Sequence, residues 1–166
     1  MAAVNKNKLV ADQYFVNDCY TELRILIFQL SLLLGKARDR ELLEVGITNV
    51  QSAALMYIFM MGKNTTIGIL ADKLLVENHS ASQLVKRMQE YGLIMIDSHK
   101  NQRNKKYLKL TPKGKRCLDL AMQKHAVSDL LATIPPEQCQ KTIKQLKLIK
   151  ETILNHSTLN NKEQYP

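Results

Sequence analysis

The chain has no tryptophan, and aromatic residues fill only 5% of its 166 positions, so any core must be built mostly from Leu, Ile, Val and Met. A core of that kind suits helices. Glycine is sparse at six residues, and no Gly-rich phosphate loop occurs. The three cysteines, Cys19, Cys117 and Cys139, are an odd number without Cys-x-x-Cys spacing, and the expectation is a chain lacking a signal peptide. That argues against a disulfide scaffold or a zinc site and points to a reducing cytosol. The most apolar runs, Ile25 to Leu34 and Ala53 to Met61, fall far short of the roughly 20 residues a membrane span needs. His79, His99, His125 and His156 are scattered, and neither Gly-x-Ser-x-Gly nor His-x-x-x-His is present. The expectation is a soluble, cytoplasmic protein with no membrane partner, no metal, no cofactor and no catalysis.

What the chain does have is positive charge in one place. Its formal charge is +9 with 45% hydrophobic residues, enough for one compact unit whose partner is a polyanion or an acidic membrane surface. From Ser80 to Arg116 ten cations (Lys86, Arg87, Lys100, Arg103, Lys105, Lys106, Lys109, Lys113, Lys115 and Arg116) stand against Glu90 and Asp97, which accounts for eight of the nine net charges. A charge excess confined to one stretch is a binding footprint, whereas an even spread would only aid solubility.

Apolar spacing divides the chain into about six helices and a small ribbon. After an N-terminal arm of about a dozen residues, a stripe of Phe15, Cys19, Leu23, Leu26, Leu30 and Leu33 predicts a first helix over 13–35, closed by Gly35 and the charged segment after it. Ile25, Ile27, Leu32 and Leu34 widen that stripe, as for a helix packed against its own domain and against another subunit. Thr48 or Asn49 caps a second helix, with Ala54, Leu55, Ile58, Phe59 and Met61 in the core and Gly62 as its stop. Thr66 caps a third, with Leu70, Ala71, Leu74 and Leu75 on one face. Asn78 is the expected cap of a fourth, which buries Ala81, Leu84, Val85 and Met88, shows Ser80, Ser82, Gln83, Lys86 and Arg87, and closes at Gly92. Leu93 to Asp97 and Tyr107 to Leu110 are β-prone runs joined by a basic tip. Thr111 and Pro112 open a fifth helix expected to reach about Thr133, and Pro136 opens a sixth with a near-heptad seam of Cys139, Ile143, Leu146 and Ile153 before a polar, frayed tail.

Two helices, a tight turn and a basic ribbon make a winged helix-turn-helix. The polar face of the fourth helix suits the major groove, where its side chains can donate to guanine or phosphate, and the ribbon suits phosphates or the minor groove. Wing contacts are expected from Lys100, Arg103, Asn104, Lys105 and Lys106.

The order of parts, with TTIGILADKLLV before the turn, SQLVKRMQEYGLI for the recognition helix and first strand, and YLKLTPKG leading into the dimer helix, resembles the MarR family of winged helix-turn-helix regulators over about residues 13 to 155. The resemblance implies a bacterial, nucleoid-associated homodimer joined by N- and C-terminal helices (13–35 and 112–156) around a DNA-binding lobe (48–111), all in one integrated domain. It further implies a pseudo-palindromic operator in double-stranded DNA, repression, and release by a small aromatic or phenolic effector. Ser82, Gln83, Lys86 and Arg87 would then meet bases and phosphates, with Thr66 holding the backbone. The wing departs from the family, which carries Asp-x-Arg where this chain has Gln102, Arg103 and Asn104.

Two rival readings stand beside this one. Some relatives sense peroxides through a thiol in the first helix, where Cys19 lies, but Asp18 and Glu22 would disfavour a thiolate and the apolar stripe favours a packed core cysteine. Alternatively, a winged-helix dimer without DNA binding would serve as a protein-interaction or ligand-binding module. Such a module has no use for the basic helix and ribbon.

Overall fold

The computed structural model describes residues 19–98 and 106–163. The chain forms two compact units, the first ending at Lys124 and the second beginning at His125. Among the described residues are seven α-helices, two short 3₁₀ turns and one antiparallel pair of strands. The architecture is the expected mainly helical one with a small β-wing.

Helix α1 spans Cys19–Leu42, running through Gly35 and the charged segment that the sequence marks as its end. An interior glycine costs about 1 kcal/mol relative to alanine; beyond it Arg38 pairs with Glu41 within the helix, and Asp39 accepts the Asn49 N–H at 2.6 Å. Of α1 only Leu42 is buried, while Leu23, Leu26, Phe28, Leu30 and Leu33 are exposed within the chain.

Helix α2 (Asn49–Met61) starts where Thr48 accepts from Gln51 and the Gln51 side chain accepts from Thr48 in return. It buries Ser52, Ala54, Leu55 and Ile58. Phe59, expected in the core, is instead 55% exposed. It stands at the open end of the buried stripe, beneath the Lys115 ammonium 4.9 Å from its ring centre, a favourable cation–π distance. Met61 is only half-buried.

Thr66 caps α3 (Ile67–Leu74), accepting from Ile69 N at 3.3 Å. Leu70 and Ala71 face the core, but Leu75 leaves the helical face: it adopts the left-handed conformation (φ 55°) and is exposed. Helix α4 (Asn78–Glu90) begins one residue earlier than expected, with Glu77 at the cap position and no side-chain cap. Asn78 packs on α3 instead, its Oδ1 lying 3.7 Å from where a Cβ on Gly68 would stand. The buried face of α4 is Ala81, Leu84, Val85 and Met88, as its spacing predicts.

Strands β1 (Ile94–Ser98) and β2 (Lys106–Leu110) pair with Ile94 opposite Leu110 and Ile96 opposite Leu108. A bridge from Thr66 to Tyr107, with Leu108 N donating to Thr65 O at 2.8 Å, ties β2 to the start of α3. Ile94 and Leu108 join Leu42, Leu55, Ile58, Leu70, Met88 and Leu118 in one core, where each such side chain contributes about 1.5–3 kcal/mol.

Helix α5 (Pro112–Met122) has Thr111 as its cap, with the hydroxyl accepting from Gly114 N at 3.0 Å. It ends eleven residues short of Thr133, at a point where the sequence has neither Gly nor Pro. At this end and just past it, Arg38 donates to the Ala121 and Lys124 carbonyls. In the second unit, α6 (Ala126–Leu131) and α7 (Pro136–Glu163) follow, and α7 continues through the stretch expected to fray. Ile143, Leu146, Leu148 and Ile153 of α7 are exposed.

Candidate nucleic-acid interface

Helix α4, the expected recognition helix, carries two separated faces. Ala81, Leu84, Val85 and Met88 dock on the core, while Ser82, Gln83, Lys86 and Arg87 are exposed. Ser80 is half-buried, and its hydroxyl lies 3.3 Å from His79 Nε2. The Ser82 hydroxyl donates to the Asn78 carbonyl at 2.8 Å, which leaves its lone pairs to accept from an external donor.

Thr66 and Lys106, which lie forty residues apart, come together. Both line a recess of about 610 Å³ with Asn64, Ile67, Gly68, Ile69 and Tyr107, at the point where the first turn of α3 meets the root of the wing. Backbone N–H groups of a first helical turn beside an ammonium suit a phosphate. Tyr107 is not singled out by the sequence, since its nearness to Thr66 follows from the β2 bridge, whereas Asn64 lies only two residues before Thr66. Arg87 stands apart from this group, bordering a second recess of about 600 Å³ with Thr48, Gln51, Leu84 and Tyr91.

Lys109 of the wing pairs with Asp97 on the opposite strand. The remaining expected wing contacts, Lys100, Arg103, Asn104 and Lys105, lie outside the described residues, as do Gln102 and His99. Cys19 is exposed, while Cys117 and Cys139 are half-buried. Among the described residues no group of three His, Cys, Asp or Glu is placed to hold a metal, and no single helix is long and apolar enough to cross a membrane.

The lobe is braced from behind by contacts that spacing does not reveal. The Lys113 ammonium donates to the Tyr91 carbonyl at 2.7 Å, and the Thr111 hydroxyl donates to Gly92 O at 2.6 Å. Lys124 bonds Glu44, and that ammonium holds the Glu44 carboxyl below the usual carboxylate range.

A helix with one buried apolar face and one exposed polar face, set beside a short helix and followed by a two-stranded ribbon, makes the lobe a winged helix-turn-helix. The winged helix DNA-binding domain family matches residues 47–114. No protein of curated function matches the chain. Among solved structures, the Mycobacterium tuberculosis transcriptional regulator MosR in complex with DNA is 26% identical, covering 81% of this chain and 96% of its own at a TM-score of 0.62. A MarR family transcription regulator is 17% identical over 89% of this chain and 98% of its own, with a TM-score of 0.70. The organohalide-sensing regulator RdhR, bound to 2,4-dichlorophenol, is 24% identical over 81% of each chain, with a TM-score of 0.75. The chain contains a winged helix DNA-binding domain over residues 47–114 and shares the fold of solved MarR-family transcription regulators.

Proposed function

We propose that the protein reads a pseudo-palindromic operator as a homodimer, places one α4 in each of two major-groove half-sites, and represses by occupying the promoter. The observation that carries this reading is the division of α4 into a buried apolar face and an exposed face of Ser82, Gln83, Lys86 and Arg87. Gln83 is suited to adenine, Lys86 and Arg87 to guanine or phosphate, and Ser80 and Ser82 to either. Thr66 and Lys106 hold the backbone, aided by Lys100, Arg103, Asn104 and Lys105 of the wing. The exposed leucines of α1 and the exposed seam of α7 supply the apolar surface that a dimer buries.

Genome-wide mapping of bound sites, followed by titration of the recovered duplex, tests the reading. Affinity should fall steeply with salt as phosphate contacts release counterions. Lys86→Ala combined with Arg87→Ala should abolish binding while the dimer stays folded. Salt-insensitive binding, or no binding to any duplex, would instead favour a winged-helix module for a protein or ligand partner.

A small aromatic or phenolic effector fits a recess of about 560 Å³ lined by Ile58, Phe59, Lys63, Leu108, Pro112 and Lys115 among others. The Phe59 ring offers the face that Lys115 does not cover, and Lys63 offers a charge for a phenolate, Lys115 being paired with Asp119. Release of DNA by 2,4-dichlorophenol, the ligand seen in RdhR, that is lost in Phe59→Ala would support this site. Thiol sensing through Cys19 predicts oxidant-dependent release that Cys19→Ser removes.

A further inference from the structure

The charged segment that fails to end α1 is where α1 grips the DNA-binding lobe. Arg38 Nη2 donates to the Ala121 carbonyl at 2.8 Å and Nη1 to the Lys124 carbonyl at 3.1 Å. These belong to the last turn of α5 and the residues just past it, where the helix leaves acceptor capacity free; at Ala121 the guanidinium adds to the bond from Lys124 N at 3.3 Å. A planar guanidinium can satisfy two such acceptors at once. Glu41, its side chain 5% exposed, pairs with the same guanidinium and fixes its direction. The other end of α5 holds the end of the recognition helix, through Thr111 on Gly92 and Lys113 on Tyr91. Helix α5 is therefore a strut of 11 residues, about 16 Å long, bonded at one end to α1 and at the other to α4.

We propose that Arg38 is a positioning residue for DNA recognition. Acting through α5, it sets where α4 stands relative to α1, and so sets the separation of the two recognition helices in the dimer. The inference rests on the dimeric reading above, and Arg38 itself touches no DNA. Half-site spacing is a geometric property of such a dimer, so losing the brace should blur spacing before it weakens phosphate contact.

The test uses full-length wild type, Arg38→Ala, Arg38→Lys and, as a control, Glu44→Gln on the outer Lys124 pair. Each is titrated against the mapped operator and against versions with one or two base pairs added or removed between half-sites. Wild type and the control should prefer the native spacing by about tenfold or more. Arg38→Ala should lose that preference, binding all spacings within about twofold of one another while still discriminating against random duplex, with the salt slope unchanged because no phosphate contact is removed. Arg38→Lys should fall between, since one ammonium serves one carbonyl well. Full spacing preference in a folded Arg38→Ala overturns the proposal. If Arg38→Ala does not fold, full preference in Arg38→Lys does so instead. A wild type that binds every spacing alike removes the dimeric reading and the positioning role with it, and that outcome is recognisable because it needs no mutation.

Discussion

Gly114 meets Leu93 so closely that a Cβ on Gly114 would stand 1.9 Å from the Leu93 carbonyl oxygen. The obstacle is backbone, so no rotamer change can relieve it. Gly114→Ala should destabilise the protein by about 3 kcal/mol or more, at the upper end of overpacking costs, as measured by urea unfolding. It should also weaken operator binding, because the retreat of α5 would pull the Thr111 hydroxyl from Gly92. Stability within about 0.5 kcal/mol of wild type would mean that the junction is looser than its geometry.

Leu75 holds a left-handed conformation at φ 55° in the turn before the recognition helix, with its side chain 66% exposed. Little burial would be lost on replacing it, and asparagine tolerates this region better than leucine does. Leu75→Asn should raise stability by about 0.5–1 kcal/mol, whereas Leu75→Val should lower it by a similar amount. Thermal melts of the two variants that move in the same direction would contradict this account.

Base reading and phosphate holding should separate in a salt titration. Lys106→Ala is expected to reduce the slope of log affinity against log salt by about 1 while leaving sequence preference intact. Gln83→Ala should leave the slope alone and relax preference at one operator position, at a cost of about 1–3 kcal/mol.

The apolar side of α1 should be the seat of self-association. Leu26 and Leu30 are one helical turn apart and 47% and 53% exposed. Replacing both with Glu should give a species near the 19.0 kDa of one chain by light scattering, with operator binding lost. A variant that remains dimeric would move the interface elsewhere.

The sequence was most legible where local chemistry decides the outcome. Thr48, Thr66 and Thr111 cap the helices their positions predict, and the four-residue buried stripe of α4 follows from its period. It misled where a distant side chain decides. Gly35 and the charges after it look like a helix end, and the stretch past Met122 looks like a helix interior. Arg38, within the stretch of α1 that continues, reaches across more than eighty residues to carbonyls at the end of α5, a contact that spacing does not announce. Asn78 looks like a cap, yet the helix starts at Asn78 itself and its side chain lies beside Gly68 of α3. Thr66 and Lys106 were each marked for the DNA backbone, but their shared recess depends on a bridge from Thr66 to Tyr107 that no spacing announces.

The uncovered leucines of α1 also bear on how the regulator would respond to its own abundance. If a protomer must find a second copy before it can span two half-sites, operator occupancy at low expression rises with the square of protein concentration. Modest changes in synthesis or turnover would then act on the promoter as a switch of doubled steepness, with no further cooperative element required.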